Sequence, residues 1–171
     1  MDLLVDVRDN YLHSTEILFS HLMEHVIWDR SMKARWTASY GIPYTNSHIV
    51  YEEQCFDEKL SFIKEKLEKT FQFEFNSCML NFYENGTSSM GFHRDEVSDL
   101  NKDSGIVIIS LGEARAITFK HEDSGKEVSR ILSNGSCLYM NQDIQKNWKH
   151  GLKKSDTEKS RISLTWRSIK T

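Results

Sequence analysis

The segment Gly105-Ile-Val-Ile-Ile-Ser-Leu111 predicts a β-strand in the middle of a strand-rich region. It is short and rich in β-branched residues, which favour the extended backbone of a strand. Similar segments surround it, separated by the Gly, Asn, Asp and Ser residues that turns require. The other predicted strands are Phe71 to Phe75 continued by Cys78 to Tyr83, Ala114 to Lys120, Glu127 to Leu132, Cys137 to Met140, and Arg161 to Ser168. Short strands in such quick succession are typical of an antiparallel double sheet.

Two helices are predicted ahead of these strands. Ser14 is the expected N-cap of the first helix, and its apolar face would carry Ile17, Leu18, His21, Leu22, His25 and Val26. The second helix begins at Asp57 and Glu58 and ends in lysines, as the helix macrodipole favours. Its apolar stripe is Phe56, Leu60, Ile63 and Leu67. Helices followed by strands predict a mostly β (α+β) fold: a jelly-roll core, or double-stranded β-helix, with N-terminal helices buttressing one sheet.

The chain has 171 residues, which suits one domain better than two. We expect a helical part over about residues 1–70 and the jelly-roll core over about residues 71–171. The segment from Ser31 to Glu53 is harder to interpret, because its aromatic residues are interleaved with small and polar ones. It predicts either a β-hairpin or a mobile lid.

Composition and charge limit the partners and the compartment. The net charge of -3 gives no general attraction to a nucleic-acid backbone, so such a partner would have to be held locally. Three well-separated cysteines suggest neither a disulfide framework nor a zinc site, and free thiols imply a reducing compartment. The acidic N-terminus does not resemble a signal peptide, and no long apolar segment follows. We therefore expect an intracellular protein, cytoplasmic or nuclear, which is neither secreted nor held in a membrane.

A His-x-Asp pair at His93 and Asp95 is the first sign of a metal site. Residues two apart on an extended segment project from the same face, so both side chains can reach one ion. A second pair, His121 and Asp123, runs directly into Ser124-Gly125 and is explained by turn chemistry. Two histidines and one carboxylate bind Fe(II) on one face and leave the other open for reactants.

His150 is the candidate third ligand, because it lies before Gly151 at the close of a polar loop and could sit at a strand edge. An isolated surface histidine is the alternative interpretation. The remaining histidines that we considered have no carboxylate at such spacing and are expected to be structural: His13, His21, His25 and His48.

Arg161 and Arg167 share parity on the last predicted strand, so both would face one side of the sheet. An arginine that faces inward is costly unless it meets an anion, and a dicarboxylate supplies that anion in bidentate geometry. Six residues of strand span about 20 Å, more than a five-carbon acid. We therefore expect Arg161 to bind the distal carboxylate and Arg167 to act nearer the metal, although a surface ion pair would also explain either residue.

Taken together, these residues resemble the AlkB family of Fe(II)- and 2-oxoglutarate-dependent dioxygenases. The resemblance covers roughly residues 30–169 and includes several separate motifs. They are Arg35-Trp-Thr-Ala-Ser-Tyr-Gly41 with Pro43-Tyr44, Asn81-Phe-Tyr83 with Gly86, His93-Arg-Asp95, Tyr139-Met-Asn141, Trp148-Lys-His150, and Arg161-Ile-Ser-Leu-Thr-Trp-Arg167.

The resemblance implies a set of roles for these residues. His93, Asp95 and His150 would hold Fe(II), and 2-oxoglutarate and O2 would be the cosubstrates. Residues expected to contact 2-oxoglutarate are Asn81, Tyr83, Arg161 and Arg167. The implied reaction hydroxylates an N-alkyl carbon of a nucleobase in DNA or RNA, and the product collapses to formaldehyde and the free base. The base would be flipped out or already single-stranded.

Substrate contacts follow from the same resemblance. Residues expected on the substrate side are Arg35, Trp36, Tyr40, Tyr44, Arg94 and Glu96, although ordinary packing explains each of the three aromatics equally well. Basic residues beside these motifs could bind phosphates or simply be solvated: Arg30, Lys33, Lys146, Lys149, Lys153 and Lys154. We expect a monomer acting on single-stranded DNA or RNA more readily than on duplex.

Two positions depart from the pattern of the family's repair members. Val97 stands where those members commonly place an acidic residue that recognises the damaged base, and Asn46 stands where the hairpin has a second aromatic. The alternative hypothesis is therefore a 2-oxoglutarate-dependent hydroxylase or demethylase of a protein or small molecule. A binding module with a vestigial iron site is a third hypothesis, which the intact set of ligands and arginines disfavours.

Overall fold

The computed structural model describes residues 3, 5–44 and 49–171. Its elements in chain order are β1 (Val5–Arg8), α1 (Thr15–His25), β2 (Trp36–Gly41), α2 (Glu58–Phe71), β3 (Ser77–Tyr83), β4 (Met90–His93), β5 (Gly105–Gly112), β6 (Arg115–His121), β7 (Glu127–Leu132), β8 (Cys137–Asn141), α3 (Ile144–Asn147), β9 (Trp148–Leu152) and β10 (Arg161–Arg167).

The strands form two sheets in which the neighbouring strands are antiparallel. The large sheet has the order β1-β8-β5-β10-β3-β2, and the small sheet has the order β4-β9-β6-β7. Consecutive strands alternate between the sheets along much of the chain, which is how a jelly roll closes. The predicted mostly β jelly-roll fold is confirmed.

Strand β10 lies at the centre of the large sheet, between β5 and β3, and separates two environments. Ile162, Leu164 and Trp166 pack into the first hydrophobic cluster, beneath the helices. Arg161 and Arg167 point to the opposite face, toward the small sheet. The predicted parity is confirmed, and it follows from the strict alternation of side chains along a strand.

Helices α1 and α2 cover the outer face of the large sheet, as predicted. Leu22 of α1 and Leu60, Ile63 and Leu67 of α2 share the first cluster with the β10 side chains and are almost completely buried. Asp57 caps α2, because its side chain accepts a hydrogen bond from the Leu60 N–H at 2.8 Å.

The first helix differs from its prediction in two details. Ile17 and His25 were placed on the apolar face, but both are exposed, because the buried stripe of this short helix runs through Thr15, Leu18 and Leu22. Ser14 occupies the N-cap position with φ of 53°, and its side chain makes no capping hydrogen bond.

The prediction of a strand over Phe71 to Phe75 is wrong. Phe71 is the last residue of α2, and Gln72 ends the helix in the left-handed conformation with φ of 61°. Phe75 is buried in the turn that follows, and Phe71 and Phe73 are half-buried. The tilted rings of Phe73 and Phe75 lie 4.7 Å apart, and strand β3 starts only at Ser77. The alternation of aromatic residues here therefore reflects packing against the core and does not indicate a β-strand.

The segment from Ser31 to Glu53 does not form a separate hairpin within the residues that are described. Residues 36–41 form β2, the edge strand of the large sheet beside β3, and Gly41 bridges back to Gln54. Asn46, where the family's second aromatic is absent, and His48 lie outside the described residues.

Two further sequence expectations concern cysteines and membrane segments. Cys55, Cys78 and Cys137 are free thiols, in agreement with the prediction of no disulfide framework. Across the part of the chain that the structure describes, no helix has both the length and the apolar character that a membrane span would need.

Candidate metal and cosubstrate site

Three predicted metal ligands meet between the two sheets. His93 is the last residue of β4, His150 lies opposite it on the paired strand β9, and Asp95 follows two residues after β4 ends. One ligand atom from each of the three side chains lies within 4.8 Å of the others. Asp95 and His150 are each only 4% exposed, so the group lies at the inner end of a cavity rather than on the surface.

His150 is better placed than its sequence suggested. We expected it at the close of a polar loop, but it lies in the middle of β9. The alternation of this strand turns His150 and Leu152 inward and Lys149 outward. The polar residues around His150 made the segment resemble a loop in the sequence. The buried side chains of the strand lie between them, at the positions that face inward.

Asp95 is held in its charged form by its neighbours. Burial alone would raise the pKa of this carboxyl, but Arg167, followed by His150 and His93, outweighs burial and lowers the pKa below its ordinary value. Arg167 Nη2 donates to Asp95 Oδ1 at 3.0 Å. Gln145 of α3 accepts the Asp95 backbone N–H at 3.0 Å, which fixes the loop that carries the ligand.

Hydrogen bonding orients the His93 imidazole, and burial keeps the His150 imidazole neutral. Burial, then the neighbouring His93, lowers the pKa of His150 to about 4, so it is neutral near pH 7. His93 Nδ1 lies 3.0 Å from the Gly91 carbonyl, and a carbonyl only accepts. Nδ1 therefore carries the proton, and the Nε2 lone pair is directed away from the backbone and free to coordinate.

The buried polar atoms of this group fit a metal ion. Among the described residues, Asp95 Oδ2 and His150 Nδ1 are buried with no hydrogen-bond partner. A buried polar atom without a partner is costly unless something binds it. Two histidines and a carboxylate are the donor set of the non-haem Fe(II) oxygenases, which fits this group better than an apolar ligand would.

The two arginines of β10 lie on the wall of the same cavity but have different partners. Arg167 is paired with Asp95 and lies 3.9 Å from the centre of the Tyr44 ring. Arg161 donates to Ser110 Oγ at 2.9 Å and lies over the Tyr83 ring. Within the described residues no carboxylate is at ion-pair distance from Arg161, which is 3% exposed.

This isolation of Arg161 points to an anionic ligand. Burial lowers the pKa of its guanidinium, the direction expected for a cation removed from water. A buried cation without a counterion is unfavourable, so a bound carboxylate would satisfy it. The surface ion pair that we considered for either arginine is not what the structure contains, since Arg167 pairs inside the protein and Arg161 pairs with no carboxylate.

One cavity of about 420 Å³ joins these groups. Its lining includes the predicted ligand set and residues from both sheets: Asn81, Tyr83, His93, Asp95, His150, Arg161, Ser163, Thr165 and Arg167. Asn81 and Tyr83 face the cavity because they share parity on β3, and Leu80 and Phe82 face the helices. The predicted set for the metal and for 2-oxoglutarate is therefore brought together.

Only half of the residues predicted to contact the substrate line the cavity. Arg35, Tyr44 and Arg94 line the cavity. Arg35 Nε donates to Asn81 Oδ1 at 2.9 Å, and Tyr44 Oη accepts the Glu96 N–H at 2.6 Å. Arg94 forms an ion pair with Glu122 at the rim.

Trp36, Tyr40 and Glu96 do not line the cavity, and their contact with a substrate stays a prediction. Trp36 and Tyr40 lie on the helix-facing side of β2, where Trp36 packs on Phe82 with ring centres 4.8 Å apart. Ordinary packing, the alternative that was left open for both, describes their surroundings. Glu96 is exposed and bonds the Ser98 N–H instead.

Several lining residues were missed by sequence reasoning: Met32, Thr37, Tyr51, Met90 and Phe92. Thr37 could have been predicted from the sequence, because side chains alternate along β2 and Thr37 therefore faces the opposite side from Trp36. No sequence pattern indicated Tyr51, since it lies after the strand and is held at the cavity wall by a hydrogen bond with Thr37. Val97, the position of an acidic residue in the family's repair members, packs against the core between the sheets.

Comparisons with known proteins agree with this geometry. The family model of the 2OG-Fe(II) oxygenase superfamily matches residues 13–167. DNA oxidative demethylase ALKBH2 of Homo sapiens is 31% identical over 138 residues, covering 75% of this chain and 53% of the relative. Alpha-ketoglutarate-dependent dioxygenase alkB homolog 3 of Mus musculus is 27% identical, across 92% of this chain and 63% of the relative.

The solved structure of OsALKBH1 has the same fold. It aligns with a TM-score of 0.74 over 96% of this chain and 97% of that chain, at 13% identity. The present chain spans about half the length of the ALKBH2 relatives it matches. By its family model, its relatives and its assembled ligand set, the chain belongs to the 2OG-Fe(II) oxygenase superfamily and, within it, to the AlkB family.

Proposed function

We propose that this chain is an Fe(II)- and 2-oxoglutarate-dependent dioxygenase that oxidatively demethylates N-alkylated nucleobases in DNA or RNA. The observation that carries the proposal is the convergence of three metal-ligand side chains and an unpaired buried arginine on one cavity. The names of the ALKBH2 and alkB homolog 3 relatives, a DNA oxidative demethylase and an alpha-ketoglutarate-dependent dioxygenase, support the same reaction.

His93, Asp95 and His150 would hold Fe(II). The bound metal, with 2-oxoglutarate and O2, supplies the oxidising power for hydroxylating an alkyl carbon. The protein supplies position and charge. Arg167 keeps Asp95 ionised through its 3.0 Å hydrogen bond, and Gln145 holds the backbone of the same ligand.

Arg161 is the proposed anchor for the distal carboxylate of 2-oxoglutarate. It is fixed by Ser110 and has no carboxylate of its own, so a dicarboxylate supplies the missing charge. Arg167 lies at the other end of β10, beside the metal ligands, as the length of the strand requires. Asn81 and Tyr83 line the wall beside these arginines and complete the proposed contacts with 2-oxoglutarate.

On the substrate side, Arg35, Tyr44 and Arg94 are the proposed contacts from the predicted set, and Tyr51 joins them. A single strand suits the site better than a duplex, because the overall acidic balance leaves only local basic groups to bind phosphates. We retain as proposals a single domain over residues 1–171, a monomeric state and an intracellular location, cytoplasmic or nuclear.

The experiment follows two products. The protein is purified anaerobically, loaded with Fe(II), and incubated with 2-oxoglutarate, O2 and methylated DNA and RNA oligonucleotides. We expect succinate and formaldehyde in equal amounts, with loss of 14 mass units (about one CH2) from the strand. His93→Ala and Asp95→Ala should abolish both products.

His121→Ala is the matched control, since it belongs to the second His-x-Asp pair, at the turn after β6 where His121 contacts Ser124. It should retain activity. Succinate without demethylation of any oligonucleotide would favour the alternative, a protein or small-molecule substrate. No succinate under any condition would remove the enzyme hypothesis.

A further inference from the structure

We propose that Phe92 is a stacking platform for a base of a single-stranded nucleic acid beside the mouth of the cavity, and that Lys120 and Lys153 bind the flanking phosphates. The proposal rests on the function proposed above, because it gives the substrate strand a path across the small sheet once its target base has entered the cavity.

Phe92 is an exposed aromatic residue at the border of the cavity. It precedes the metal-ligand candidate His93 on β4 and is 36% exposed. Of the large apolar side chains that are exposed in the described part of the chain, it alone borders the cavity. Gly91 beside it leaves open space, since an added Cβ there would meet nothing within 4 Å. A planar ligand can therefore approach Phe92 from the cavity mouth.

Two lysines flank the ring, one in β6 and one directly after β9. Lys120 Nζ lies 5.8 Å and Lys153 Nζ 5.7 Å from its centre. Both side chains are exposed on the outer face of the small sheet, opposite the buried Phe119 and Leu152. Their ammonium groups are on flexible stems, so they can move from the ring to a phosphate without rearrangement of the backbone.

Two lysines of this face lie side by side. Lys120 lies directly opposite Lys149 in the register of β6 and β9, an arrangement that is unfavourable unless an anion joins it. Glu127, across from Lys120 on β7, bonds Lys153 instead, at 2.5 Å. Glu122 lies 3.4 Å from Lys149. Among the described residues no carboxylate is at ion-pair distance from Lys120, whose cross-strand neighbour Glu127 attracts it only at longer range, so a phosphate can supply the direct partner.

An exposed aromatic next to cations is the arrangement by which proteins bind single strands without reading their sequence. Bases stack on the ring for about 1–3 kcal/mol each, and lysines follow the backbone. A duplex offers such a ring only its terminal bases. The platform therefore predicts a preference for single strands that arises outside the cavity.

The test is direct binding of an unmethylated, fluorescently labelled oligonucleotide of about 12 nucleotides to the full chain, measured by anisotropy at several salt concentrations, with the matching duplex alongside. Phe92→Ala should weaken single-strand binding about 5- to 10-fold, from loss of one stacked base. Phe92→Trp should retain it. Lys120→Ala should lower the slope of log affinity against log salt by about 0.7.

Two control variants keep the result interpretable. Ile131→Ala removes an exposed apolar side chain of the same sheet away from the cavity, and Lys59→Ala removes a lysine of α2. Both should bind as the parent does. Melting temperatures of all variants show whether each one is folded.

Unchanged affinity in folded Phe92→Ala, or an equal loss for duplex and single strand, would overturn the platform and leave the demethylase proposal standing. If the parent chain binds no oligonucleotide, the platform is overturned together with the nucleic-acid part of the proposed function. The succinate assay is independent of this measurement and still reports on the metal site.

Discussion

Arg161 and Arg167 lie on one strand and one cavity wall, yet their surroundings predict opposite effects of mutation. Arg167→Met removes the partner of buried Asp95, which should destabilise the protein by about 3–5 kcal/mol. Arg161→Met removes a buried cation with no carboxylate, so stability should stay within about 1 kcal/mol or rise. Urea unfolding of the metal-free protein measures both. Equal destabilisation by the two variants would contradict the assignment of Arg161 to an external anion.

Gln145 is the residue predicted to orient the metal site without touching the metal. It is 4% exposed and accepts the Asp95 N–H at 3.0 Å. Removing such an outer partner typically weakens metal affinity 10- to 100-fold. We expect that loss for Gln145→Ala in a calorimetric titration with Mn(II). Gln142→Ala is the matched control, since Gln142 bonds the carbonyls of Asn101 and Ser104 instead. Equal affinities for both variants would assign Gln145 a purely structural role.

The lowered pKa of His150 predicts how stability depends on pH. The unfolded chain binds a proton at this residue near pH 6.5, and the folded chain does so only near pH 4. Between these values the unfolded state holds more protons, so stability falls as pH is lowered from about 6.5 to 4, by on the order of 3 kcal/mol. Unfolding of the metal-free protein at a series of pH values measures this loss. His150→Asn should show a smaller dependence, and an unchanged slope would contradict the pKa assignment.

At the scale of elements, α2 depends on its N-cap. Asp57 accepts the Leu60 N–H and also contacts His21 of α1 at 2.7 Å, so it joins the two helices that cover the large sheet. Asp57→Ala should destabilise the protein by about 1 kcal/mol, and Asp57→Asn should cost less because asparagine also caps. Thermal or urea unfolding compares the two. A cost for Asn as large as that for Ala would mean that the contact with His21, rather than the cap, is the important one.

Element prediction succeeded where the side-chain period was unambiguous. The second helix and the strands now seen as β5, β6, β7, β8 and β10 were predicted to within one or two residues at each end. It failed where burial comes from tertiary contacts. The phenylalanines at 71, 73 and 75 pack on the core from the end of α2 and the turn after it, and β9 was missed because its inward residues alternate with a surface lysine, Lys149, and a glycine.

At the scale of the molecule, the large sheet divides the described chain into a helix-covered side and a side that faces the small sheet. The first cluster, which includes Leu164 and Trp166, fills one side. The second, which includes Ile108 and Phe119, fills the other and leaves the cavity unpacked. Arg161 of β10 can be buried without a carboxylate partner because it lines this cavity, where a ligand can enter.

The residues of the metal and 2-oxoglutarate site could be predicted from the sequence more completely than the residues of the substrate side. His93 and Asp95 follow from their spacing and the two arginines from their parity, which a sequence displays directly, whereas His150 was predicted only as a later histidine and its strand was missed. The residues of the substrate side do not follow from spacing or parity. Trp36 and Tyr40 were placed there by motif likeness, and only the pairing of β2 with β3 decides which face they occupy. Phe92 and Tyr51 reach the rim by juxtapositions between strands and loops that no local pattern encodes.

We expect the metal and 2-oxoglutarate to bind together in this one cavity. Anaerobic calorimetric titration of 2-oxoglutarate into protein loaded with redox-inert Mn(II) measures this binding. We predict one equivalent of 2-oxoglutarate bound, with affinity reduced at least about tenfold in Arg161→Met and in His93→Ala. Undiminished 2-oxoglutarate binding after removal of either residue, with the variants folded, would contradict the account.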